Sequence, residues 1–261
     1  VFHDDLLPMF HTLQLLTLSY PLYDVQLLLM DDAEPGDFLF LYGVHTMHKP
    51  LLKFDIKAAG NAVCMVDAYI GLDKSMTWYQ YGFHEPQGPL PDASITSSHI
   101  ANFVNATRTG LNIKQPLQSS KTAVILSRKQ NRIISNELQL STSLAQQLGL
   151  KVILISLETH TIKQIIEIIG AANLLIGMHG SLLIFSLFLN PGSILVELFP
   201  YAVNPDHYTP YITLAGIQGL IYHSWRNMDP EKSVAHPERP WELGGIAHLD
   251  IKSQEKIATS P

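Results

Sequence analysis

The stretch LLIGMHGSLLIFSLFLNPGSILVELFPYAVNPDHY, Leu174 to Tyr208, decides how this chain folds. Leu174-Leu175-Ile176 is a short apolar run of the kind buried in a parallel sheet. Gly177 and Gly180 bracket Met178-His179, so the backbone there turns tightly and stays uncovered by side chains. Ser181 to Leu189 is apolar all round, as a buried helix is, and Asn190-Pro191-Gly192 stops it. A second buried strand runs from Ile194 to Leu198. The His179-Gly180-Ser181 turn therefore stands at the carboxyl end of a strand and the start of a helix, where open α/β sheets take ligands. Free N–H groups and the helix dipole favour a phosphate at such a turn. A packing turn with a hydrogen-bonded histidine fits the same residues. In favour of a ligand site is the company around it. Glu197 closes the next strand, and Asn204, Asp206, His207 and Tyr208 crowd the loop beyond.

Upstream of this stretch the pattern repeats. Thr122 to Leu126 reads as a strand, Asn136 to Leu148 as an amphipathic helix stopped by Gly149, Lys151 to Ser156 as a strand and Thr161 to Ala172 as a helix. Strands alternating with helices make a Rossmann-like half sheet. Ser127-Arg128-Lys129-Gln130-Asn131-Arg132 follows the first strand, and arginines on that rim can hold a diphosphate in bidentate fashion. A solvated loop with ordinary charges is the plainer reading of that spacing.

The first half is less sharply patterned. Val25 to Met30, Asp37 to Tyr42 and Ala62 to Ile70 are strand-like, Pro50 to Ala59 and Ser97 to Leu111 helical. The run Trp78-Tyr79-Gln80-Tyr81-Gly82-Phe83 enters the rigid turn Pro86-Gln87-Gly88-Pro89 and either lines a cleft or simply packs. Asp4 and Asp5 either cap a helix running through Phe10, Leu13, Leu16 and Leu18 or supply a catalytic carboxylate. The polar, Pro-containing segment from Asn112 to Thr122 marks a domain boundary. The abrupt start at Val1 suggests that part of the same fold lies upstream. Residues after Tyr208 read as a loop, a strand from Gly219 to Trp225 and an aperiodic tail.

Composition narrows the class. The 261 residues are 46% hydrophobic and 15% charged, enough to bury one large or two modest cores. A net charge of −6 and a pI near 6.0 give no electrostatic footprint for nucleic acid or an anionic membrane. The single cysteine, Cys64, fits a reducing compartment and a disulfide-free luminal fold equally well. No run of 18 apolar residues, signal peptide or initiator methionine occurs, so the chain reads as a piece of a longer protein. P-loop, GxGxxG, GxSxG and HExxH patterns are missing, which disfavours NTPases, dinucleotide oxidoreductases, common esterases and zincins. The twelve histidines form no metal-spaced motif. Asn105-Ala106-Thr107 is a glycosylation sequon, pointing to the secretory pathway.

TWYQYGF with PQGP, SRKQNR followed by Ile-Ile-Ser-Asn-Glu, the Met-His-Gly turn, VELFPYAVNPDHYTPY, and WRNM through HPERPWELGGIAHLD together resemble glycosyltransferase family 61. The resemblance implies a GT-B fold, two Rossmann-like domains facing across a cleft, with the first truncated. The expected division is 1–118 for an acceptor-side domain, 119–228 for a nucleotide-sugar domain and 229–261 for a tail crossing back. It further implies an inverting transfer of N-acetylglucosamine from UDP-GlcNAc to O-linked mannose on a glycoprotein of the α-dystroglycan type. The expected donor contacts are Arg128, Arg132, His179, Gly180, Ser181, Glu197 (to the ribose), Tyr201, Asn204 and His207. Trp78, Tyr79 and Tyr81 are the expected acceptor contacts, Asp4 the base with His3 beside it, and Asn105 the glycosylated residue. No tightly bound cofactor is expected, and arginines with a helix dipole stand in for a divalent ion. The full-length protein is expected to be a type II membrane protein of the endoplasmic reticulum lumen with a fibronectin type III domain. Three departures stand out: an upstream Asn-x-x-His is absent, His-Gly-Ser replaces His-Gly-Ala, and Ile212 replaces a lysine. Other family acceptors, an EGF domain or xylan, remain open, as does a non-catalytic sugar-binding module.

Overall fold

Five parallel strands carry the fold of the chain's second half. The computed structural model describes residues 1–31, 36–58, 64–79, 88–114, 121–129, 132–201, 203–234, 249–250 and 252–253. The chain divides into two units, Val1–Trp78 with Pro91–Lys114, and Tyr79–Leu90 with Gln115–Pro261.

In the first unit a π-helical turn, Phe2–Leu6, leads into α1 (Leu7–Leu16). β1 (Leu28–Leu29) and β2 (Leu51–Leu52) form a two-stranded parallel pair, with α2 (Leu39–Val44) between them and α3 (Lys53–Ala58) after them. α4 (Ser97–Gly110) is started by a Thr96–His99 capping box, which satisfies backbone N–H groups that the first turn leaves open. Rings hold this unit together: Phe103 of α4 sits edge-on to Phe2 and Phe10, and the His45 ring stacks on it at 5.3 Å.

Several expectations for this region give way. Asp37 to Tyr42 is not a strand; its four-residue apolar run Phe38–Leu41 lies largely in α2, and a run that short does not discriminate strand from helix. Only Leu28–Leu29 of the Val25–Met30 segment pairs, Leu51–Leu52 is a strand rather than the start of a helix, and residues 64–70 carry no strand. Asp4 does not cap, because the π-turn already begins at Phe2.

The second unit follows its pattern closely. β3 (Thr122–Leu126), α5 (Glu137–Leu148), β4 (Lys151–Ile155), α6 (Ile162–Gly170), β5 (Leu174–Met178), β6 (Ile194–Phe199), α7 (Pro210–Gln218) and β7 (Ile221–Arg226) run in chain order. The strands lie β4-β3-β5-β6-β7, all parallel. Two elements differ from expectation. Ser181–Phe188 winds as a 3-10 helix, and the supposed loop after Tyr208 contains α7, which Pro210 starts from its first turn.

Period-2 burial explains why this sheet forms. Ile125 and Ile176 face one side, where they meet Ile134 and, from α5, Leu140 and Leu144. Val124, Leu175 and Leu195 alternate with them and are fully buried, as are Ile166 and Ile169 of α6. Each such side chain contributes roughly 1.5–3 kcal/mol on burial. Polar, exposed β7 closes one edge.

In order of appearance the strands run 2-1-3-4-5. The chain winds outward one way from β3 to β4, then crosses back to lay β5 on the other side of β3. The carboxyl ends of β3 and β5, on either side of this reversal, are where open sheets of this order take ligands in a crevice. This places the arginine loop and the glycine corner side by side.

Candidate functional site

At that crevice the backbone of Gly180 has φ +140°, a conformation that only glycine adopts easily. A β-carbon added there would fall 2.9 Å from Cζ of Arg132 and 3.2 Å from Nη1 of Arg128, and closer still to Nη1 of Arg132. Two guanidinium groups thus converge on one bare α-carbon. Arg132, itself at φ +50°, donates from Nη1 to the His179 carbonyl at 3.1 Å. Nη1 of Arg128 is buried and has no hydrogen-bond partner among the described residues. Burial lowers the pKa of this guanidinium, against the opposing pull of Glu158 and Tyr211. A half-dehydrated cation gains more from an anionic ligand than one in water does.

Behind the corner lies His179, 5% exposed, its ring stacked on Phe199 at 4.9 Å and flanked by Tyr208 at 5.1 Å. Its Nδ1 lies 2.6 Å from Oε1 of Glu197, whose Oε2 accepts from the Tyr222 hydroxyl at 2.6 Å. The Tyr211 hydroxyl donates to the Gly180 carbonyl at 2.7 Å. Burial, with Tyr79 and Glu197 adding to it, drives the Tyr211 phenol well above its ordinary pKa, so it stays a donor. Ser181 opens the 3-10 helix with its side chain exposed.

Glu197 is fully buried with both oxygens engaged, so it orients His179 and is not placed to take ribose hydroxyls. Tyr201, Asn204 and His207 are half-buried in the loop after β6, where the Asn204 side chain accepts from the Asp206 N–H at 3.1 Å. Two participants had no local signal. Tyr222 shares a sheet face with Glu197 only once β6 and β7 are known to pair with Leu195 opposite Tyr222. Tyr211 lies in a helix that the sequence reading left as loop.

Trp78 is 1% exposed, packed edge-on to His3 at 4.3 Å, and is core rather than cleft lining. Tyr79 is half-buried and close enough to act on the Tyr211 hydroxyl. Tyr81 lies outside the described residues. In the first unit, Nε2 of the buried His3 accepts from the Trp78 N–H at 3.1 Å, so Nδ1 carries the proton and donates to Asp4 at 2.6 Å. His3 therefore positions Asp4 and is not itself placed to exchange a proton with substrate. The bond from His3 holds the half-exposed Asp4 carboxyl below the usual range, and its burial opposes this only in part. Asn105 is exposed on α4, while Thr107 is buried and donates to the Phe103 carbonyl at 2.8 Å. Among the described residues no group of three or more His, Cys, Asp or Glu could hold a metal, and no helix is long and apolar enough to cross a membrane.

A doubly wound parallel sheet with a cationic glycine corner at its switch point defines a Rossmann-like α/β protein. The model of the family described as Glycosyltransferase 61 matches residues 2–196, and the chain belongs to that family. It is 43% identical over 265 residues to protein O-linked-mannose beta-1,4-N-acetylglucosaminyltransferase 2 of Tetraodon nigroviridis. The identity is also 43%, over 267 residues, to the Homo sapiens protein of that name, and 42% over 275 residues to that of Takifugu rubripes. All of this chain is covered in each case, against 45%, 45% and 46% of the relatives, so the chain spans about half their length.

Proposed function

We propose that this chain is the catalytic core of an inverting glycosyltransferase that moves N-acetylglucosamine from UDP-GlcNAc to O-linked mannose on a glycoprotein. The observation that carries the donor half of this reading is the convergence of Arg128 and Arg132 on Gly180 at the switch point. A departing UDP develops charge on its diphosphate, and preorganised cations beside bare backbone stabilise that charge without reorganising. In this reading the two arginines supply what a divalent ion supplies in other transferases. Ser181 and the start of its 3-10 helix offer further donors. The nucleoside lies toward Tyr201, Asn204 and His207.

The acceptor half rests on the names of the relatives and on Asp4. An inverting transfer needs a base for the acceptor hydroxyl, and Asp4 is an exposed, ionised carboxylate aligned by His3. Family membership supports a GT-B arrangement with the donor on the second Rossmann-like domain. The sequon at exposed Asn105 supports an endoplasmic reticulum lumenal setting.

Titration calorimetry with UDP tests the donor half. Arg128→Ala is expected to weaken UDP binding about 10- to 100-fold, the value of one or more charge-assisted hydrogen bonds. Full retention of affinity sinks the assignment.

A further inference from the structure

Resting on the donor-site reading above, we infer that His179 is a proton-coupled ligand of the diphosphate. Buried Glu197 sets its tautomer, and its Nε2 takes up one proton from solvent when the nucleotide binds and returns it on release.

The argument begins with what Glu197 can do. An ionised carboxylate only accepts hydrogen bonds, and Oε2 is already taken by the Tyr222 hydroxyl. Oε1 at 2.6 Å from Nδ1 therefore requires the ring proton on Nδ1. Nε2 is then the nitrogen left to meet a ligand. It differs in this from the His3–Asp4 pair, where the Trp78 N–H already fills Nε2 of His3. The bond to Glu197, with Phe199 lying flat against the ring at 15°, holds the His179 ring in this orientation.

The groups facing the ring set the charge balance. Among the described residues Glu197 from β6 is the carboxylate in contact with the ring, Tyr222 from β7 braces it, and Tyr208 and Tyr211 flank the ring as neutral phenols. Burial and Glu197 hold Tyr222 far above its ordinary range, so it does not ionise. On the other side stand the cations Arg128 and Arg132. With the crevice empty those cations oppose a positive ring. A bound diphosphate adds negative charge beside them and reverses that balance, and the ring becomes an imidazolium bridging Glu197 and the phosphate. Its second N–H joins the arginines in holding the leaving diphosphate. Glu197 and Tyr222 touch no ligand and are positioning residues.

The test uses the intact protein and UDP. At pH 8 a nucleoside diphosphate has already lost its terminal proton, so uptake on binding reports the protein. Calorimetry in buffers of different ionisation enthalpy is expected to show about one proton taken up per UDP bound, falling to near zero in Glu197→Gln. Nitrogen-15 histidine spectra supply an independent readout that needs no variant. The free protein should show His179 protonated at Nδ1 alone, and the UDP complex protonated at both nitrogens. UDP binding without proton uptake, or a free ring protonated at Nε2, overturns the inference and leaves the donor site standing. Failure of the wild-type protein to bind UDP overturns both.

Discussion

Two histidines among the described residues each set Nδ1 2.6 Å from a carboxylate, and the partner of the remaining nitrogen separates their roles. His3 spends its Nε2 on a backbone amide and serves as a strut, while in the proposed site His179 offers that nitrogen to the diphosphate. Gly180 is the residue on which the crevice turns. Any side chain there meets both arginines and adopts a φ of +140° that L-residues avoid. Gly180→Ala is expected to cost roughly 1–3 kcal/mol of stability through backbone strain. It should also abolish detectable UDP binding, because the guanidiniums must move off the corner. Chemical denaturation and calorimetry on the same sample separate the two effects, and unchanged UDP affinity would contradict the corner's role. At this scale the sequence indicated which residues stand together at these strand ends but not what each touches. Arg128, Arg132, His179 and Gly180 were found from their places at strand ends. The roles of Glu197, Trp78 and His3 depend on burial and on partners distant in the chain, which no local pattern encodes.

Elements of the second unit were legible because each strand there is a bounded apolar run and each helix carries its own stop or start signal. α5 ends at Gly149 in the left-handed region, and α6 starts at a Thr161–Gln164 capping box. The first unit gave less. Its strands are two residues long, and their parallel pairing is fixed by surroundings rather than by pattern. A packing constraint fixes the seat of the 3-10 helix on β5. A β-carbon at Gly177 would lie 2.9 Å from Leu183 Cδ2 and 3.0 Å from Leu126 Cδ1. Gly177→Ala is therefore expected to destabilise the protein by about 1–3 kcal/mol through overpacking. Leu183→Ala, at a fully buried site, should cost less in the Gly177→Ala background than in the wild type, and strictly additive losses would show the strain lies elsewhere. Denaturant midpoints at constant slope provide the measurement.

For the molecule as a whole, acid is a stress that acts through half-buried His45. His45 is stacked on Phe103, and burial pushes its pKa down from 6.5 to about 4. A histidine whose folded value is depressed binds its proton more readily in the unfolded chain. Its contribution is therefore complete above the ordinary imidazole range and drains away as pH falls from 6.5 towards 4. The loss approaches about 3 kcal/mol, before solvent screening reduces it. Asp4 acts in the same direction lower down, its contribution vanishing as pH falls through its lowered value. Urea unfolding at pH 7.5 and 4.5 is expected to show a large drop for the wild type and a distinctly smaller one for His45→Phe. Equal drops would exclude His45 as the source. The order of the strands carries one more consequence. The two arms of the crevice leave adjacent strands, yet α5, β4 and α6 intervene between them in the chain. That excursion returns to its starting point whatever its length. Extra residues spliced into the exposed turn at Gly149 would lengthen the path without shifting either arm, so evolution and engineering alike can decorate that outer bend freely.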